Sequence, residues 1–255
     1  MNLIYQKVRT KMAMSDNSQT IETITATRKS NTMSRDEVRQ RLIREKLVVI
    51  IRVTDPNDIS PIIACMYKAG VGAVEITSNT PGYQNAITQA RTHYPDMLIG
   101  AGTITDISLV NEATKAGAQF LVTPNTSADV VRHAHSLNVP VVMGALTPTD
   151  VVNATQAKAD IVKLFPAGAM GTGYLKDLAK GPFLNTTFFP VGGIDEHNYQ
   201  QWMQNGAAGI GIGGALASPV RSEEAAEALT TKVAAIVETL KNTLLRRQNE
   251  HFFIC

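Results

Sequence analysis

The chain has 255 residues, 44% of them hydrophobic and 18% charged, an ordinary globular composition with length enough to bury one large core. A formal net charge of +2, with acids and bases interspersed, excludes the continuous basic face that nucleic acid or an anionic membrane would require, and leaves a small molecule as the expected ligand. Two cysteines, Cys65 and Cys255, can build neither a disulfide framework nor a cysteine-rich zinc site, and a reducing cytoplasm suits that usage.

Residues 1–31 read as a polar tail. The opening Met1 to Met12 lacks the apolar core of a secretory signal, and no stretch approaches the roughly 20 apolar residues of a membrane span. Arg, Lys, Ser and Thr there resemble a transit peptide, but Asp16 and Glu22 argue for a disordered or appended extension instead. One domain is expected over residues 32–246, with a short tail at 247–255.

From Leu47 onward, short runs rich in Val, Ile and Phe alternate with helical patterns, the mark of repeated βα units. The predicted strands are Val48–Val53, Ala73–Thr77, Leu98–Thr103, Phe120–Thr123, Val139–Met143, Ile161–Phe165, Thr187–Val191 and Gly209–Gly213. Eight such units predict an α/β fold of the closed (β/α)8, or TIM-barrel, type. Capping residues mark the helix starts at Thr54-Asp55-Pro56, Asp106, Thr147-Pro148-Thr149 and Asp195-Glu196. The last helix, Ser222 to about Arg246, places Ala226, Leu229, Val233, Ile236 and Leu240 on one face, and Trp202 and Met203 read as packing residues. An open doubly wound sheet shares the alternation. Its dinucleotide signature is missing, because the glycine run 209–214 falls in the last unit with no ribose-binding acid after it.

Barrel enzymes carry their chemistry where strands end and βα loops begin. Period-two alternation in Asp160–Pro166 turns Lys163 inward with Ile161 and Phe165. Desolvation there, with Arg52 as a cationic neighbour, would lower the amine's pKa and free it to attack a ketone; the alternative is a structural lysine paired with a carboxylate. Glu75 is the inward carboxylate able to shuttle protons during carbinolamine formation and dehydration, or else an ion-pair partner of Lys163 or Arg52 without chemistry. Gly192-Gly193 after strand seven and Gly213-Gly214 after strand eight lie where barrels commonly hold phosphate on bare backbone amides, although such glycines also serve plain turns. The histidines His93, His133, His135, His197 and His251 fall in helices, loops or the tail, so no metal and no other cofactor is expected.

Five motifs in order resemble those of the 2-keto-3-deoxy-6-phosphogluconate / 4-hydroxy-2-oxoglutarate aldolase family, which includes phosphogalactonate aldolases. They are Val74-Glu75-Ile76-Thr77, Ile99-Gly100-Ala101-Gly102-Thr103, Val122-Thr123-Pro124-Asn125, Val162-Lys163-Leu164-Phe165-Pro166-Ala167 and Pro190-Val191-Gly192-Gly193-Ile194. The resemblance, spanning about Leu47 to Ser218, implies a metal-free class I aldolase. In it Lys163 forms the Schiff base, Glu75 is the general acid/base and Thr103 binds the pyruvyl carboxylate. Pro124 and Phe165 wall the pocket, Arg52 meets an anionic end of the substrate, and the two Gly-Gly pairs hold its phosphate. It also implies a homotrimer.

Two departures bear on substrate. The family's Glu-x-Thr-x-Arg reads Glu75-Ile76-Thr77-Ser78-Asn79, so a neutral amide replaces an arginine, as in the phosphogalactonate branch. A hydroxyl usual beside the last Gly-Gly is absent at Gly214-Ala215, leaving phosphate one side-chain donor fewer. The expected reaction is reversible cleavage of a 2-keto-3-deoxy-6-phospho sugar acid to pyruvate and glyceraldehyde 3-phosphate. The alternatives are a phosphate-independent 4-hydroxy-2-oxoglutarate aldolase and a non-catalytic barrel that binds sugar phosphates.

Overall fold

In the computed structural model, which describes residues 33–252 and their side chains as far as Asn242, strands and helices alternate around a single sheet. The strands are β1 (Leu47–Ile51), β2 (Ala73–Thr77), β3 (Leu98–Gly102), β4 (Leu121–Val122), β5 (Val141–Ala145), β6 (Ile161–Leu164), β7 (Phe188–Pro190) and β8 (Ile210–Ile212). All pair in parallel in the order β7-β6-β5-β4-β3-β2-β1-β8. A parallel bridge between Val191 and Gly211, and a 2.9 Å bond from the Ala208 amide to the Phe188 carbonyl, join the two ends into a nearly closed barrel. The expected tail at residues 1–31 lies outside the described residues.

The helices are α1 (Arg35–Glu45), α2 (Ile59–Lys68), α3 (Tyr83–His93), α4 (Ile107–Lys115), α5 (Ala128–Ser136), α6 (Pro148–Gln156), α7 (Gly171–Lys180), α8 (Tyr199–Gln204) and α9 (Glu223–Phe252). Asp106 and Thr147 cap α4 and α6 as their sequence positions predict, Thr147 within a reciprocal capping box with Asp150. Asp195 instead accepts from the amides of His197 and Asn198, so it caps a turn ahead of α8. α9 runs to Phe252 rather than ending near Arg246, because no glycine or proline interrupts residues 241–252. Val233, Ile236 and Leu240 bury one face of it, and Trp202 and Met203 lie on the buried face of α8.

Alternate residues along each strand face opposite ways, and both faces are covered, as an all-parallel sheet requires. The outward set, including Val49, Ile51, Val74, Ile76, Ile99, Met143, Val162 and Leu164, joins one apolar layer with the helices. Inside the barrel, glycine and phenylalanine interlock: a Cβ at Gly100 would lie 2.5 Å from the Phe120 ring, and one at Gly209 would lie 2.3 Å from the Phe189 ring.

The strand pattern did not foretell α1. It begins in a Ser34–Glu37 capping box and buries Val38 and Leu42. Arg35 and Arg39 bond Asp160, and Arg41 bonds the Asp96 carbonyl; both partners precede strands, so α1 shuts the N-terminal end of the barrel. Access is left to the C-terminal ends. β5 also differs from Val139–Met143: Pro140 has no amide hydrogen to give the ladder, so the strand starts at Val141 and reaches Ala145.

Candidate active site

The C-terminal mouth brings together most of the side chains that the sequence singles out. Lys163 on β6 is 5% exposed and Glu75 on β2 is 2% exposed, so an amine and a carboxyl are both withdrawn from water inside the barrel. Lys163 Nζ lies 4.8 Å from the Phe165 ring centroid, which places both on the same face of β6 and lets the ring's π-face meet the amine. Among the described residues neither Lys163 Nζ nor the Glu75 carboxyl makes a hydrogen bond or a contact ion pair, which disfavours a purely structural pairing.

Burial shifts both members of this pair toward their neutral forms. Desolvation pushes the Lys163 ammonium below the ordinary lysine range, the Glu75 carboxyl opposes that shift and Arg52 adds to it. Desolvation likewise raises the Glu75 carboxyl above the ordinary range, while the positive charges of Lys163 and Arg52 partly offset the rise. A site that makes ammonium and carboxylate both costly favours a neutral amine beside a proton donor.

Glycines make room for this arrangement. A Cβ on Gly102 would sit 2.4 Å from Glu75 Oε1, so β3 leaves the carboxyl its place. A Cβ on Gly144, paired in register with Lys163, would come within 2.4 Å of the Pro124 carbonyl carbon and 2.7 Å of the Asn125 amide. The β4 loop can therefore fold across the end of β5, and Pro124 comes to rest beside the lysine strand. Thr123 holds it there: its hydroxyl donates to the Asn125 carbonyl at 2.6 Å and accepts from the Gly144 amide at 2.9 Å.

Arg52 and Thr103 lie just past the ends of β1 and β3 rather than within them. Arg52 is exposed and donates from Nη2 to Thr103 Oγ1 at 3.1 Å. Thr103 has φ 59, a left-handed conformation that a β-branched residue seldom adopts. Ser78 stabilises it, its hydroxyl donating to the Thr103 carbonyl at 2.8 Å and its amide to the Gly102 carbonyl at 2.8 Å. Sequence reasoning missed this role for Ser78. Asn79 beside it is exposed on the same loop.

Gly192 and Gly193 have φ 88 and 76, a pair of conformations that favours glycine, and they lie tightly against the loop after β6. The Gly168 amide donates to the Gly192 carbonyl at 2.8 Å, and a Cβ on Gly193 would lie 2.9 Å from the Gly168 Cα. Among the described residues the amides of Gly193 and Gly214 donate to no acceptor, and the Val191–Gly211 bridge, which engages the Gly192 amide, sets the two loops side by side. Gly213 packs above Ile50 on β1. The described residues contain no group of three or more His, Cys, Asp or Glu side chains that could hold a metal ion. His133 and His135 are occupied by Asn111 and Asp160. No helix of the described residues is long and apolar enough to cross a membrane.

An eight-stranded barrel closed at one end, with a buried amine and a buried carboxyl at the other, defines the protein as a barrel enzyme with its chemistry at the strand C-termini. Comparison with known proteins narrows this. A family model described as KDPG and KHG aldolase matches residues 38–231. The 2-dehydro-3-deoxy-6-phosphogalactonate aldolase of Escherichia coli K12 is 32% identical over 199 residues, 78% of this chain and 96% of the relative. The 2-dehydro-3-deoxy-phosphogluconate aldolase of Haemophilus influenzae is 31% identical over 167 residues, 66% of this chain and 79% of the relative. A solved structure described as native KDPGal superposes with a TM-score of 0.70 at 32% identity, covering 78% of this chain and 96% of that one. The chain belongs to the KDPG and KHG aldolase family, whose members are lyases that act on carbon–carbon bonds.

Proposed function

We propose that Lys163 is a Schiff-base nucleophile and that the enzyme cleaves a 2-keto-3-deoxy-6-phospho sugar acid to pyruvate and glyceraldehyde 3-phosphate. The observation that carries this reading is a buried amine with no contact carboxylate, its ammonium form disfavoured by burial, at the open end of the barrel. The neutral amine adds to the C2 ketone. Glu75, whose carboxyl burial pushes above the ordinary range, gives a proton to the carbinolamine hydroxyl, which leaves as water and yields the iminium. The Glu75 carboxylate then takes the proton of the C4 hydroxyl as the C3–C4 bond breaks, its electron pair passing to the iminium nitrogen. Glyceraldehyde 3-phosphate departs, the enamine is protonated at C3, and water releases pyruvate from Lys163.

Arg52 and Thr103, already bonded to each other, offer a guanidinium and a hydroxyl to the pyruvyl carboxylate. Pro124 and Phe165 wall the pocket on either side of Lys163. Gly192, Gly193, Gly213 and Gly214 frame the phosphate site, where the partnerless amides of Gly193 and Gly214 at the barrel rim suit an anion. The galactonate-type substrate is favoured, because Asn79 stands where the gluconate-type pattern has arginine and because the Escherichia coli phosphogalactonate enzyme is a close relative. A homotrimer and a cytoplasmic location belong to the same proposal, resting on the family's usual assembly and on the cysteine content.

Turnover of the two C4-epimeric phosphorylated substrates and of 4-hydroxy-2-oxoglutarate tests this. Higher kcat/KM on the galactonate epimer is expected. Equal turnover of 4-hydroxy-2-oxoglutarate would overturn the phosphate assignment, an outcome that the missing hydroxyl at Ala215 would then explain.

A further inference from the structure

The segment between β8 and α9 carries Gly213 and Gly214; apolar packing of Leu216 and Ala217 ties it to the core, but few hydrogen bonds do. Within it, Leu216 and Ala217 donate back to the carbonyls of Gly213 and Gly214, and the Ser218 hydroxyl donates to the Gly214 carbonyl. Leu216 and Ala217 are buried. Among the described residues, every side-chain hydrogen bond that links residues 214–221 to another element runs through Arg221. Its guanidinium grips Asp58 with both terminal nitrogens, one through Nη1 to Oδ1 and the other through Nη2 to Oδ2 at 3.0 Å.

Asp58 is unusual in its own right. Its side chain is 4% exposed, it stands at the start of α2 without capping it, and Arg221 is its hydrogen-bonding side-chain partner. A buried carboxylate needs a partner, so the pairing is enforced from the β1 side, while the Arg221 side chain is 66% exposed and gains little from packing. The bond joins the loop after β1, which begins at Arg52, to the loop after β8. It spans two neighbouring mouth loops on the rim that the proposed function assigns to substrate anions.

Resting on that reading, we infer that the Asp58–Arg221 pair is a latch that fixes the Gly213–Gly214 amides for the substrate phosphate, which makes both residues positioning residues for phosphate recognition. They touch no reacting atom. Their contribution belongs in KM for phosphorylated substrate, with kcat and Schiff-base formation left to Lys163.

The test compares kcat and KM of wild type, Arg221→Ala, Arg221→Lys and the double variant Asp58→Asn with Arg221→Ala. Each is assayed on the phosphorylated keto-deoxy acid and on 4-hydroxy-2-oxoglutarate. The double variant leaves no stranded buried charge, so folding does not confound the result. Expected is a KM for phosphorylated substrate raised about tenfold in Arg221→Ala and in the double variant, with kcat within about twofold, the scale of one lost charge-assisted bond. Arg221→Lys should fall between, and KM for the unphosphorylated acid should not move. A wild-type preference for phosphate that persists undiminished in both Arg221→Ala and the double variant overturns the latch alone. A wild type indifferent to phosphate overturns the phosphate reading and the latch together.

Discussion

Gly102 and Glu75 are fitted to one another: the space a Cβ would fill on Gly102 is taken by Glu75 Oε1, 2.4 Å away. The obstacle is the tip of a flexible side chain, so Gly102→Ala should fold and yet displace the carboxyl. A shift of about 1 Å in a reacting group costs on the order of 100-fold, so kcat should fall by roughly that factor with little change in thermal midpoint. Steady-state kinetics beside a melting curve checks both halves. Unchanged kcat would mean that Glu75 needs no fixed position.

Gly144→Ala is the opposite case. Its new methyl meets backbone, the Pro124 carbonyl and the Asn125 amide, which cannot swing aside as a side-chain tip can. Overpacking of this kind costs about 1–3 kcal/mol. For a domain of this size that lowers the melting midpoint by roughly 2–4 °C per kcal/mol. Activity should fall as well, since Pro124 packs over Gly144, the register partner of Lys163. Calorimetry of the purified variant gives the answer.

Lys163→Met should abolish turnover and stabilise the fold. Methionine fills the lysine's place without a charge to desolvate, and about 1 kcal/mol of gain is expected, the scale on which destabilised active sites commonly respond. The sign with pH follows from the lowered lysine value. Between that value and the ordinary lysine range the unfolded chain binds the extra proton, so wild-type stability rises with pH there. The advantage of the methionine variant should therefore be largest at neutral pH and shrink toward alkaline pH. Denaturant melts across that range measure it.

Charge neighbours should move the acid limb of Schiff-base formation in opposite directions. Glu75 raises the Lys163 value, so Glu75→Gln should shift the limb to lower pH. Arg52 lowers it, so Arg52→Met should shift the limb to higher pH. The rate of pyruvate trapping as a function of pH separates these shifts from lost proton transfer, which slows Glu75→Gln at every pH. Shifts of the same sign would contradict the assigned couplings.

What the sequence made legible follows from the range of the forces involved. The bounds of β2, Ala73–Thr77, match the expectation because alternation and burial agree there, and the inward turn of Lys163 follows from the same period. β5 was misplaced by a local cause, the missing amide of Pro140, that periodicity does not weigh. α1 was hidden because Val38 and Leu42, its buried pair, sit among charged residues that continue the polar tail. The Ser78–Thr103 bond and the Asp58–Arg221 pair could not be read at all. They join residues 25 and 163 positions apart, and only the closed barrel brings them together.

The most direct test of the mechanism is borohydride reduction in the presence of pyruvate, followed by peptide mass analysis. One pyruvyl adduct on the peptide that contains Lys163, absent from Lys163→Met, is the predicted result. An adduct on another lysine, or none at a pyruvate concentration that saturates the enzyme, would contradict the assignment of Lys163 as the nucleophile.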